Sequence, residues 1–329
     1  MVNILWAGTE ADAFDTASPQ AVTTSSSEYD VDFSRSATEI RGGGDRCNKQ
    51  ALSDIPEAWW HYRWGGGNTG GVANNRGIVT FFNSANVGVL RLLSLSTPAF
   101  RLEYWNGSAW TAIGADFTTT LGVNGRTWDI KCLVDNTVGD FAIWIDGTLT
   151  RQLTGDTDFF SGSAVDYVTI NGWGATNARF VSECIIADGD TRGMRLATLV
   201  PNGAGATTDF TGTFADVDEV TINDADFLSS ATANQVETMT LTNLSAVAGA
   251  LTPVAVVATA RARNAATGPQ NLQLAVRTNS LDFFSSSLPS LGTSFLDGYF
   301  NVWNTNPDTT TAWTVSEINA LEAGVKSIT

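Results

Sequence analysis

The segment Glu28-Tyr29-Asp30-Val31-Asp32 sets three carboxylates two residues apart. On an extended strand alternate side chains share a face, which would align Glu28, Asp30 and Asp32. Two carboxylates about 5 Å apart across a sugar make up the machinery of retaining glycoside hydrolysis, one acting as nucleophile and the other as acid. Asp32 is one methylene shorter than a glutamate at that place would be. The plainer reading, which we favour, is the solvated face of an outer strand with Tyr29, Val31 and Phe33 turned inward.

Calcium is the one metal that the acidic turns could hold; otherwise no cofactor is expected. Asp135, Asn136 and Asp140 share one turn, and Asp216, Asp218, Glu219, Asp224 and Asp226 cluster further on. Calcium takes six to eight oxygen ligands. Asp and Asn are also favoured in turns simply because they bond their own backbone, and EF-hand spacing is absent. The single histidine, His61, excludes a multi-histidine metal site within one chain and reads as a packed residue of an aromatic strand. The glycine-rich runs Arg41–Asp45 and Gly65–Gly71 lack a phosphate-loop lysine and open no helix, so they read as connections.

Aromatic rings are the remaining chemical signal. Tyr104, Trp105, Trp110 and Trp173 lie at or near turns, where a ring can stack on a sugar face or meet a second subunit. Most of the other aromatic residues belong to a core.

These residues need strands to position them. From Trp128 to Leu153 the chain reads as a three-stranded meander. Trp128, Ile130, Cys132 and Val134 alternate with polar residues, Phe141 to Ile145 is apolar on both faces, and Asp146-Gly147 is a type I′ hairpin turn. A strand apolar on both faces predicts a central position under a second layer. Further strands are expected at Ile4–Trp6, Glu28–Phe33, Ala58–Trp64, Gly77–Phe82, Val87–Leu95, Ala99–Trp105, Trp110–Ile113, Val165–Ile170 and Phe180–Ile186. Asn106-Gly107 supplies a second hairpin turn. This even spacing of short strands, without a helix, indicates a sandwich or jelly roll.

Asp188–Gly193 reads as a linker, dividing the chain into domains 1–190 and 191–329. In the second, strands are expected at Arg195–Val200, Val236–Leu241, Val254–Arg263, Asn271–Arg277 and Gly298–Trp303, with Pro201-Asn202-Gly203 as a turn. One helix is signalled by Thr314 as cap, Glu317 completing a capping box, Ile318 and Leu321 facing inward and Gly324 as terminator. Val325–Ile328 closes the domain as a strand.

The 329 residues are 43% hydrophobic and only 16% charged, which suits a large strand-built core. A net charge of -16 without any basic run excludes nucleic acid as a partner. No stretch approaches the ~20 apolar residues of a helical membrane span, so no membrane insertion is expected. The opening residues lack a secretory pattern, pointing to synthesis in a cytoplasm, and three cysteines do not form a disulfide framework.

Two resemblances extend this reading. The run Phe100 to Ala187, through FRLEYWNGSAWTAIG, TWDIKCLVD, FAIWIDGTL and FVSECIIAD, resembles the concanavalin A-like (laminin-G-like) lectin and glucanase sandwiches. That implies an all-β chain: a concanavalin A-like jelly-roll sandwich followed by a second β-sandwich-like module. In that superfamily the retaining glucanases carry an ExDxE motif, which Glu28–Asp32 matches except at its last residue. The second half, through RLATLVPNGAGATTDFTG, VDEVTINDADFLSS, VVATARARNAATGPQNLQLAVRTNS and NPDTTTAWTVSEINALEAGVKSI, resembles C-terminal modules of tailed-bacteriophage structural proteins, as does the opening ILWAGTEADAF. That resemblance implies a noncatalytic virion component, homo-oligomeric and partnered by other virion proteins. Its expected place is a tail fibre or baseplate contacting host-surface glycans. The alternatives are a capsid decoration or head-fibre protein, or a glycan-binding or glycan-hydrolysing protein.

Overall fold

The computed structural model describes residues 2–9, 14, 21–26, 28–40, 46–49, 52, 54–65, 76–96, 99–119, 125–159, 164–171, 179–288 and 291–329. The chain forms two compact units, Met1–Leu196 and Ala197–Thr329, and is almost entirely antiparallel β-structure.

In the first unit one sheet runs in the order Thr148–Gly155, Gly139–Ile145, Arg126–Leu133, Glu57–Gly65, Arg179–Ala187, Ala37–Ile40, Ala21–Thr23, with Ile4–Gly8 also paired to Arg179–Ala187. The other runs Phe117–Thr118, Ala99–Trp105, Gly88–Ser96, Arg76–Phe82, Tyr167–Asn171, Arg46–Lys49, with Trp110–Ala112 beside Ala99–Trp105. Period-two alternation turns Trp60, Tyr62, Trp64 and Trp128 of the first sheet inward, where all are fully buried. Phe100 of the second sheet meets Trp64 at 6.0 Å and Trp128 at 5.3 Å between ring centroids, joining the two layers. A buried Trp removes roughly 150–250 Å² from water, at most about 4–6 kcal/mol of transfer free energy.

The Asp146-Gly147 turn has φ of 49° and 73°, the double positive φ of a type I′ turn, and sets Ile145 opposite Thr148. The meander is not central, however. Its third strand, Thr148–Gly155, is the sheet edge. The outer face of Gly139–Ile145 is covered by side chains in place of a third layer: Trp144 stacks on Trp59 at 5.2 Å and the Arg192 guanidinium lies 4.7 Å from the Trp144 ring.

Arg192 belongs to the segment expected as a linker, which is instead fastened along this unit. Asp188 accepts from Asn3 N and Nδ2 at 2.7 and 2.6 Å, and Thr191 Oγ1 donates to Asp129 Oδ1 at 2.7 Å. Asp129 also pairs with His61 Nδ1 at 2.8 Å, both groups being buried on the outer face of the sheet. Arg195 makes a bidentate pair with the buried Glu183 at 2.6 and 2.9 Å and reaches Asp30 Oδ2 at 2.7 Å.

In the second unit the sheet order is Pro201–Thr208, Val236–Leu241, Glu322–Ile328, Asn271–Thr278, Leu281–Phe284, beside a ribbon of Val256–Ala262 and Leu296–Trp303. Residues 195–200 are not a strand, and Pro201-Asn202-Gly203 is not a turn but the start of one. Proline is tolerated there because it is the first residue of an edge strand. The helix spans Val315–Asn319, with Glu317 N donating to Thr314 Oγ1 at 3.2 Å and Thr314 N donating to Glu317 Oε2 at 2.8 Å. Ile318 and Leu321 are buried. Gly324 does not end the helix; it lies inside the closing strand, where a Cβ would stand 1.8 Å from the Glu237 carbonyl oxygen.

Candidate ligand-binding face

The carboxylate series is not a strand face. Residues 28–33 form bends and a turn in which Phe33 N and Ser34 N donate to Asp30 O and Asp32 N donates to Asp30 Oδ1. Tyr29 and Phe33 are buried as expected, but Val31 is 65% exposed. Burial alone would raise the Asp30 carboxyl. The Arg195 and Asp32 hydrogen bonds and the charges of Arg195 and Arg63 outweigh it and hold Asp30 below its ordinary value. Asp30 is thus a structural partner of Arg195, and the aligned glycosidase carboxylates do not form.

The acidic turn after Trp128–Val134 spends its oxygens locally. Asp135 Oδ1 accepts from Thr137 N and Val138 N at 2.6 and 2.8 Å, which keeps this carboxyl below its ordinary value. Asn136 Oδ1 accepts from Thr137 Oγ1, and Asp140 takes Lys131 Nζ at 3.0 Å and Gln152 Nε2 at 2.9 Å. Asp216 accepts from Thr213 N at 2.6 Å, and Asp224 pairs with Arg261 at 2.8 Å. Among the described residues no group of three or more His, Cys, Asp or Glu is placed to hold a metal ion. In the first cluster the Asp135 and Asn136 bonds are the local ones for which Asp and Asn are favoured in turns.

The aromatic candidates separate by strand parity. Tyr104 turns to the interior side, against Phe159 at 4.8 Å and Phe141 at 6.4 Å. Trp105 and Trp110 are register partners on the opposite, outer side, T-shaped at 5.8 Å and 71°. Trp173 lies outside the described residues. The hairpin between the two tryptophans is set by Asn106, whose Oδ1 accepts from Ser108 N, Ala109 N and Ser108 Oγ, and by Gly107 at φ 90°.

Around this pair the outer face of the second sheet is built in two rows. Register places Tyr167 opposite Phe82 and Phe82 opposite Gly88. The Trp110 ring lies directly over Gly88: a Cβ at that glycine would come within 2.8 Å of Trp110 Cζ2. Phe82 and Tyr167 stack at 4.8 Å and 7°. Beside this aromatic row runs a polar one of Thr169, Thr80, Arg91 and Glu103, each opposite the next. Arg91 donates from Nε and Nη2 to Glu103 Oε2 at 2.8 and 2.6 Å, and its guanidinium sits 4.1 Å from the Trp110 centroid. Arg101 reaches Glu103 Oε1 at 3.5 Å and holds Asp116 through two bonds of 2.6 and 3.0 Å. The Arg101 hydrogen bond keeps the Asp116 carboxyl below its ordinary value.

Half-buried tryptophans beside oriented guanidinium and carboxylate groups can stack on a flat apolar ring face and bond its rim. Glu103 and Asp116 are both paired with guanidinium groups. Arg91, Glu103, Phe82 and Tyr167 join the aromatic pair only through the fold. Their signal was present in the alternation Thr80/Phe82, Val89/Arg91/Leu93 and Arg101/Glu103/Trp105, but which parity faces outward required the packing of both sheets.

No family model and no curated protein matches the sequence. Among solved structures the chain is similar to the cellulose-induced protein Cip1, at 11% identity over 57% of this chain and 97% of that one, with a TM-score of 0.39. It is similar to alginate lyase Aly36B at 12% identity over 60% and 100%, TM-score 0.39. A third is the GH131 β-glucanase catalytic domain of Podospora anserina, at 13% over 59% and 98%, TM-score 0.35. The sandwich assignment itself rests on the strand pairing and inter-sheet ring contacts above.

Proposed function

We propose that the first unit is a noncatalytic glycan-binding β-sandwich whose ligand face is the outer surface of the second sheet around Trp105 and Trp110. One observation carries this reading: two half-buried tryptophans share that face at 5.8 Å, with the Arg91–Glu103 pair oriented beneath Trp110. Aromatic faces supply contact area at low entropic cost, and fixed polar groups orient the ligand. The noncatalytic form of this reading is supported by the bends and turn of residues 28–33, which do not align Glu28, Asp30 and Asp32 on a strand face, and by the Asp30–Arg195 pair.

A glycan array probed with the full chain tests the proposal. Binding is expected, falling at least tenfold in Trp110→Ala and Trp105→Ala variants that keep the wild-type melting profile. Undiminished binding in both variants would refute the assigned face. The tailed-phage virion setting, as a tail or baseplate component displaying this sandwich to host glycans, belongs to the same proposal and rests on the sequence resemblance of the second half. Immunogold labelling of virions is expected to mark particles; unmarked particles would remove that setting and leave the binding face standing.

A further inference from the structure

We infer that the face around Trp110 selects neutral glycans and rejects acidic ones; this rests on the glycan-binding reading of that face. The reason is that, among the described residues, the two guanidinium groups beside Trp105 and Trp110 are each paired with a carboxylate. Arg91 is committed to Glu103 by two bonds of 2.8 and 2.6 Å, and Arg101 to Asp116 by two of 2.6 and 3.0 Å. Two guanidinium charges meet two carboxylate charges. A third guanidinium, Arg151, donates to the carbonyls of Thr150, Ala115 and Asp116 and lies 5.3 Å from the Phe117 ring, which packs on Phe100 and Trp128 within the sandwich.

A uronate or sialate carboxylate would therefore have to compete with Glu103 for Arg91. Glu103 is only 5% exposed, and parting it from Arg91 would leave this buried carboxylate with only the longer 3.5 Å contact from Arg101. The net charge of -16 adds a repulsive field for any polyanion. A neutral sugar meets neither penalty. It gains the ring surface of Trp105 and Trp110, while the Arg91–Glu103 pair remains intact and the partly exposed Arg91 guanidinium offers donors at its rim.

The test is affinity electrophoresis of the full chain, with the neutral and acidic polymers chosen from its array hits and with alginate and polygalacturonate always included. The expected result is retardation in a neutral polymer, unchanged between low and physiological salt, and at least tenfold weaker retention in both acidic ones. A Glu103→Gln variant frees the Arg91 guanidinium, so it is expected to gain salt-sensitive retardation in alginate or polygalacturonate. Tighter binding of the wild-type chain to an acidic polymer than to any neutral one would overturn the charge selection and leave glycan binding in place. Array silence toward both classes would overturn the glycan-binding reading itself, and this inference with it.

Discussion

Replacing Gly88 with alanine tests the aromatic face without touching a group that would contact the ligand. The glycine lies in strand Gly88–Ser96, away from positive φ, so alanine is acceptable to its backbone. The added methyl would stand 2.8 Å from Trp110 Cζ2, 2.9 Å from Cη2 and 3.3 Å from Thr80 Cγ2. Carbon contacts settle near 3.5–4.0 Å, so the ring must withdraw by roughly 1 Å or rotate. Overpacking costs about 1–3 kcal/mol when neighbours are fixed. Trp110 is half-buried beside an exposed turn and can swing, so the stability loss is that of its displaced contacts, about 1–2.5 kcal/mol. Swinging disrupts the T-shaped contact with Trp105, worth about 0.5–1.5 kcal/mol, and the Arg91 contact, about 0.5–1 kcal/mol. An affinity loss of about 1.4 kcal/mol, or tenfold, is expected. Calorimetric titration with the best array glycan reads the affinity, and thermal melting reads the fold. Gly147→Ala is the control: at φ 73° with nothing within 4 Å of its Cβ, it costs about 1 kcal/mol of backbone strain and leaves affinity unchanged. Wild-type affinity in Gly88→Ala would refute the placement of Trp110 in the binding face.

Arg195→Met is expected to destabilise the first unit by about 3–5 kcal/mol, because it strands the fully buried Glu183 carboxylate, and Arg195→Lys to recover less than half, since an ammonium cannot reproduce the planar fork; urea unfolding of both variants measures this. In the second unit, burial and then the neighbouring charge of Asp209 push the Glu237 carboxyl above its ordinary 4.5, despite the Phe210 N–H it accepts. The folded state then holds the proton more tightly than the unfolded chain. Stability contributed by the protonated form is therefore present at low pH and declines as pH rises from about 4.5 through the raised value. Glu237→Gln, which keeps an acceptor for Phe210 N, is expected to flatten that decline and raise stability at pH 7; an unchanged pH profile of unfolding would contradict the assignment.

Local chemistry by itself determined much of this protein. Asp146-Gly147 specifies a type I′ turn wherever it is placed, since both residues accept positive φ. Thr314 and Glu317 cap a helix through contacts only three residues apart. Alternation in Trp128–Val134 and Ala58–Trp64 marks an apolar face because side chains on a strand have a period of two. Other features depended on partners distant in sequence. Glu28–Asp32 alternates like a strand, yet no neighbouring strand pairs with it and Arg195 draws Asp30 into a turn. Gly324 resembles a helix terminator but is required where the backbone of Glu237 leaves no room for a Cβ. Asp188–Gly193 has the composition of a linker, and becomes a strap because Asn3, Asp129, Trp59 and Trp144 receive it. The proposed binding face is the clearest case. Trp105 and Tyr104 are adjacent in sequence and similar in chemistry, but a strand sends them to opposite sides. Only the packing of Phe141 and Phe159 against Tyr104 decided which ring is interior and which lies on the outer face.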